Sequence, residues 1–211
     1  MVRKMIAFAA AAAMAPMAVS LAPAAVAAPA SSPDLQKVGA HLKAANTMTA
    51  DFTQSDRAGQ TLTGKLTLKR PGRIRFQYQK GVPLLIVADG KALTMIDYEV
   101  NQVQRWPIAN SPLSALLDPD NNLAKFGKVI DTGNGNVVRV DVKDPKHPEY
   151  GLLSMIFVRN AAAPGGLKLD SWVALDSQNN RTTVRLRNQK FNAPVSDNSF
   201  RWNDPRKKSR R

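Results

Sequence analysis

Side chains able to do covalent or metal chemistry are few and scattered in this sequence of 211 residues. Cysteine is absent, which excludes a disulfide framework, a thiolate metal site, a cysteine nucleophile and a lipid anchor carried on an N-terminal cysteine. The two histidines, His41 and His147, lie far apart and neither stands in a ligand-spaced motif, so no metal site is expected. Asp118 and Asp120 flank Pro119 and could in principle share acid–base work, but nothing near them marks a cleft. Gly133-Asn134-Gly135 lacks the rest of a phosphate-binding fingerprint and reads as a turn. No serine sits in a nucleophile-elbow setting, and the sequon Asn180-Arg181-Thr182 is accounted for by its place in a turn. No catalytic residue and no cofactor are expected, and the chain does not read as an enzyme.

With catalysis set aside, charge and hydropathy carry the information. Lys and Arg number 30 against 16 Asp and Glu, a formal charge of +14. Residues 1–30 hold 14 alanines and two charges, Arg3 and Lys4. A basic start, an apolar run over 5–15 and small residues ending Ala25-Val26-Ala27-Ala28 have the layout of a cleavable export signal over 1–28. The run before Pro16 is too short to span a bilayer. The expected product is soluble, exported and monomeric, with charge +14 − 2 = +12. Export weakens the nucleic-acid reading of so basic a chain, and the basic residues are spread over many strands without stacking aromatics. Anionic membrane surfaces or acidic partners suit it better.

The elements follow from periodicity. Ser32-Pro33-Asp34 caps a helix expected over Pro33–Met48, with Leu35, Val38, Leu42, Ala45 and Met48 at spacings of three and four. From Phe52 the period becomes two. Strands are expected at Thr61–Lys69, around Ile74–Tyr78, at Leu84–Ala88, Lys91–Asp97 and Gln102–Trp106, in an antiparallel meander. Ser111-Pro112 starts a short helix through Leu113, Leu116 and Leu117, and Asn122–Phe126 fits a second. Strands resume at Val137–Val142, Leu152–Val158, Leu167–Leu175 and Thr182–Phe191. This predicts nine or ten strands, one domain over 29–203 and a disordered basic tail over 204–211.

The fold class is mainly β with some α: a strongly curved antiparallel sheet whose few helices gather on one face. Those helices are small against so large an apolar face. Either the face is a filled core or a hydrophobic cavity remains, lined by Leu66, Leu68, Ile74, Phe76, Leu85, Val87, Met95 and Trp106 and lidded by Leu113, Leu116 and Leu117.

Several stretches carry a resemblance. The segment from Gly64 to Phe76, with Lys69-Arg70-Pro71 ahead of an aromatic strand, resembles the periplasmic outer-membrane lipoprotein carriers of the LolA type. Phe52-Thr53-Gln54, Val87-Ala88-Asp89-Gly90-Lys91, Tyr98–Gln102 and Asn110-Ser111-Pro112-Leu113 are similar to family patterns in the same order. The resemblance covers about Leu35–Asn203 and implies an incomplete antiparallel β-barrel with a helical lid over a hydrophobic cavity. It also implies acylated lipoproteins as cargo, taken from an inner-membrane lipoprotein-releasing ABC transporter and delivered to an outer-membrane acceptor. The implied setting is the periplasm, with transient membrane proximity.

The position matching the family's lid-locking residue is Arg70. By strand parity it falls on the face of Leu66 and Leu68, and its planar fork can hold several helix-end carbonyls. On spacing alone it reads rather as an arginine ending a strand before a turn, and the family match reverses that preference. The outward basic stripes Lys65/Lys69, Arg73/Arg75 and Arg185/Arg187 fit a solvated face or a docking surface. A lipid- or lipoprotein-sensing regulator on the same half-barrel is the alternative reading, and an exported lipid-modifying enzyme lacks its catalytic constellation.

Overall fold

The computed structural model describes residues 32–110, 113–120 and 122–206. The expected export signal, Ser111-Pro112 and the last five residues of the basic tail lie outside the described residues.

Helix α1 is Pro33–Ala44; the Ser32 side chain accepts from the Leu35 amide at 3.2 Å, Pro33 opens the first turn and Asp34 sits at its positive end. It is shorter than periodicity suggests. Met48 keeps the apolar spacing but already belongs to a strand, because β1 begins at Thr47 and alternates Met48, Ala50 and Phe52 inward. There follow β2 (Thr61–Lys69), β3 (Arg73–Tyr78), β4 (Leu84–Asp89), β5 (Ala92–Asp97) and β6 (Gln102–Pro107). The short helices α2 (Ser114–Leu117) and α3 (Asn122–Phe126) come next. The chain then re-enters the sheet as β7 (Gly127–Ile130), β8 (Val137–Val142), β9 (Leu152–Arg159), β10 (Leu167–Leu175) and β11 (Arg181–Phe191). Strand β7 was not expected: four residues with a glycine at the start give too short an alternation to read.

The eleven strands of the described residues form one sheet in the order β6-β5-β4-β3-β2-β1-β11-β10-β9-β8-β7, with every neighbouring pair antiparallel. The sheet does not close: β6 and β7 are its two edges. Curvature is measured by Phe76 on β3 and Trp172 on β10. Four strand spacings separate those strands, roughly 19 Å in a flat sheet. Their ring centroids are nevertheless 6.1 Å apart. Bulges help the bend, at Asn188 on β11 (φ 53°) and at Asp170 on β10, where the registers shift by one residue.

The main core lies inside this curve. It joins Leu35, Val38 and Leu42 of α1 and Leu116 and Leu117 of α2 to inward residues of both sheet halves. Gly64 permits its aromatic centre. A Cβ there would stand 2.7 Å from the Phe52 ring, which packs edge-on to Phe76 and Tyr78 at 5.3 and 5.2 Å.

A second cluster lies on the opposite face. Leu85, Val87 and Ile96 are covered by Phe200 of the C-terminal segment, with Val103, Val195 and Trp202 around them.

Candidate functional site: a lidded apolar interior

The chain between the two sheet edges supplies the lid. From the end of β6 it makes a 3-10 turn at Ile108–Asn110, then α2 and α3, and enters β7. One continuous segment therefore links the two unpaired edges. Ala115, Leu116, Leu117 and Leu123 are buried against the main core, and Leu113 is half-buried against it.

Of the expected lining residues, Leu66, Leu68, Ile74 and Phe76 are buried on the inner face. Trp106 is partly buried against the same core, and pairs with inward Leu93. Met95 is half-buried opposite inward-facing Ile86. Leu85 and Val87 do not belong there. They pair with Gln77 and Arg75, the outward residues of β3, and face the C-terminal segment. Strand β4 is apolar on both faces, so alternation could not say which set points inward. The inner residues Ile86 and Ala88 take the expected places. The other half of the wall, including Phe52, Phe157, Met155, Leu169 and Trp172, went unassigned because its strands lie far off in sequence.

Arg70 follows β2 and reaches across to the lid. Its Nη2 donates to the Leu116 carbonyl at 3.1 Å and its Nη1 to the Leu117 carbonyl at 3.3 Å. A helix as short as α2 leaves such carbonyls without intrahelical partners, and the guanidinium fork meets two of them. Among the described residues the Arg70 Nε is buried without a partner. Burial pushes the guanidinium pKa down, and the nearby Asp120 and Asp118 carboxylates counter this. The lid is also tied to α1 by an exposed Lys43–Asp120 pair at 2.5 Å. Beside the clamp, a crevice of about 340 Å³ runs between Pro71, Gly90, Ile108 and Leu117.

His41 was expected only to hold no metal. It is 1 % exposed and stands on the apolar stripe of α1, the one sequence signal that it is a core residue. Its Nδ1 lies 2.7 Å from the Pro164 carbonyl, which can only accept, so Nδ1 carries the proton. Burial pushes its pKa below 6.5; the Pro164 bond opposes this and the charge of Arg70 adds to it. A neutral imidazole, edge-on to Phe157 and Phe191, thus pins α1 to the turn at Pro164–Gly166. Gly165 makes that contact possible, since a Cβ there would meet the His41 amide at 2.8 Å.

The outward basic stripes divide. Lys69 and Arg73 each meet the Asp197 carboxylate at 2.6 Å, and Arg75 donates to the Arg201 carbonyl at 2.9 Å, so these three hold the C-terminal segment down. Lys65 pairs with Asp51, while Arg185 and Arg187 are exposed.

The family model described as outer membrane lipoprotein carrier protein LolA matches residues 43–203. An outer-membrane lipoprotein carrier protein of Chromobacterium violaceum is 29% identical over 190 residues, covering 86% of this chain and 88% of its own length. One of Albidiferax ferrireducens is 28% identical over 186 residues, with 81% and 87% covered. A solved LolA superfamily protein from Nitrosomonas europaea is 8% identical, with a TM-score of 0.49 over 80% of this chain and 96% of its own.

Proposed function

The chain belongs to the outer-membrane lipoprotein carrier family, and from that premise we propose that it ferries acylated proteins through the periplasm with their acyl chains sheltered on the inner face of the sheet. In this reading the segment 1–28 directs export and is removed. The cargo comes from an inner-membrane lipoprotein-releasing transporter and passes to an outer-membrane acceptor. The observation that carries the reading is the Arg70 clamp, which holds an apolar lid over an apolar wall through two hydrogen bonds.

The energetics fit a carrier that must also let go. Burying one CH₂ is worth about 0.8 kcal/mol, so one long acyl chain gains on the order of 10 kcal/mol. Hydrogen bonds to a charged donor contribute roughly 1.5–3 kcal/mol each. Two of them, with the burial of Leu116 and Leu117, set a closed-lid free energy that uptake must overcome and that release recovers. The acyl chains take the places vacated by the lid leucines. Arg70 thereby converts a trap into a reversible shelter.

Purification of the intact protein from periplasm, followed by native mass spectrometry, tests this. The expected species is a complex with one acylated protein. Recovery of the bare chain alone from cells rich in lipoproteins contradicts it. Recovery with a transmembrane regulator in place of cargo favours the sensing role.

A further inference from the structure

A second concave feature lies on the outer face, away from the clamp. A groove of about 640 Å³ opens where α3 runs into the edge strand β7. Its apolar surface is supplied by Phe126, Ile130 and Leu152, and Lys125, Lys128 and Lys143 line it as well. Asp141 also lines it, but that carboxylate is held by Arg139 through two bonds at 2.8 and 2.9 Å. Among the described residues none of the three lysines has a carboxylate partner; Lys125 stands over the ring of Phe126, itself packed on the main core, at 5.0 Å. Several other cations are spent, as Lys65 is on Asp51, Lys69 and Arg73 on Asp197, Arg105 on Asp89 and Arg159 on Asp34; Arg185, Arg187 and Lys190 are exposed too, but they stand on β11 away from the groove.

We infer that this groove docks the protein on an anionic phospholipid surface, with the lysines on the phosphate headgroups and the apolar residues against the upper acyl region. Composition favours lipid over an acidic protein. Protein interfaces concentrate energy in Trp, Tyr and Arg, and none of these lines the groove. Lysines around an apolar floor suit a diffuse layer of phosphates, where each adds a similar increment. Lys128, on the edge strand itself, also blunts that edge against pairing with another chain. Lys125 and Phe126 are the last residues of α3, so docking would bring the lid segment beside the bilayer. The inference does not depend on the carrier reading, since a chain without cargo would dock equally.

Sedimentation of the intact protein with vesicles tests it, comparing phosphatidylcholine alone with a mixture containing phosphatidylglycerol. Binding is expected only to the anionic vesicles and is weakened by salt. The triple variant Lys125→Gln, Lys128→Gln, Lys143→Gln should partition on the order of a hundredfold more weakly. The variant Arg185→Gln, Arg187→Gln, Lys190→Gln makes the same charge change at exposed positions of β11 and should bind nearly as well as the parent. Because the chain lacks cysteine, an environment-sensitive dye on Ile130→Cys reports insertion directly. It should shift to the blue on anionic vesicles, while the dye on Arg185→Cys should not. Equal losses in both triple variants, no preference for anionic vesicles, or an unmoved dye at position 130 overturns the inference. So does unchanged vesicle binding by the groove variant together with lost binding to a purified acidic partner. Cargo recovered with the groove variant keeps either failure separate from failure of the carrier reading.

Discussion

The Nη2 of Arg70 and the carbonyl of Leu116, 46 residues apart in the chain, meet at 3.1 Å and join the end of β2 to the lid. Leu117 receives the other arm of the same fork at 3.3 Å. In the proposed cycle these bonds exist only while the lid is shut. Arg70→Leu therefore should still accept an acylated peptide but pass it on at least about tenfold more slowly, since roughly 1.5–3 kcal/mol per bond no longer favours closure. Arg70→Lys should fall between, because an ammonium cannot copy the planar fork. A fluorescent acyl-peptide transfer assay with separate uptake and handover steps reads both.

His41 gives the fold a pH dependence of definite sign. Its folded pKa lies below 6.5, so the unfolded chain binds the proton more readily. Its contribution is complete above pH 6.5 and is lost as the pH falls through 6.5 toward the folded value, with a slope of up to about 1.4 kcal/mol per pH unit. Asp51, Asp89, Asp197 and Asp204 are all held below 3.8 and titrate beneath that window. Urea midpoints measured from pH 7.5 to 5.5 should fall in the parent, and His41→Phe should flatten the decline.

Gly64→Ala should destabilise the fold by about 1–3 kcal/mol, the range for overpacking. The added carbon would lie 2.2 Å from the Gln77 carbonyl oxygen and 2.7 Å from Phe52. Its neighbours are a strand backbone and a ring already fixed by Phe76 and Tyr78, so neither can give way cheaply. Chemical denaturation reads the cost.

Phe200→Ala should cost about 3 kcal/mol, as loss of a buried aromatic does. It uncovers Leu85, Val87 and Ile96 on the outer face. Asp197→Asn should matter much less, because that carboxylate meets Lys69 and Arg73 in solvent. Denaturant midpoints of the two variants should separate these contributions.

Period-two alternation made β2, β8 and β10 legible to the residue, as did the capped start of α1 at Ser32-Pro33. The parity of Leu66 and Leu68 points Arg70 to the side on which its guanidinium meets the Leu116 and Leu117 carbonyls. Failures came where local pattern is silent about partners. Strand β4 is apolar on both faces, so Leu85 and Val87 were placed inside although a segment over a hundred residues later covers them outside. Met48 fits the helical spacing of α1 and the alternation of β1 equally, and tertiary pairing with Leu68 and Phe191 decided it. The place of His41 on the apolar stripe of α1 marks it as a core residue, but its bond to Pro164, 123 residues away, has no local signal.

The most direct measurement places a photoreactive acyl chain on a purified lipoprotein, loads the carrier, irradiates it and maps the cross-links. The account predicts adducts on inner-face positions such as Leu66, Phe76 and Leu117, together with a loss of the Arg70–lid contact in the loaded form. Cross-links confined to the outer face, or loading that is indifferent to whether the cargo is acylated, would contradict it.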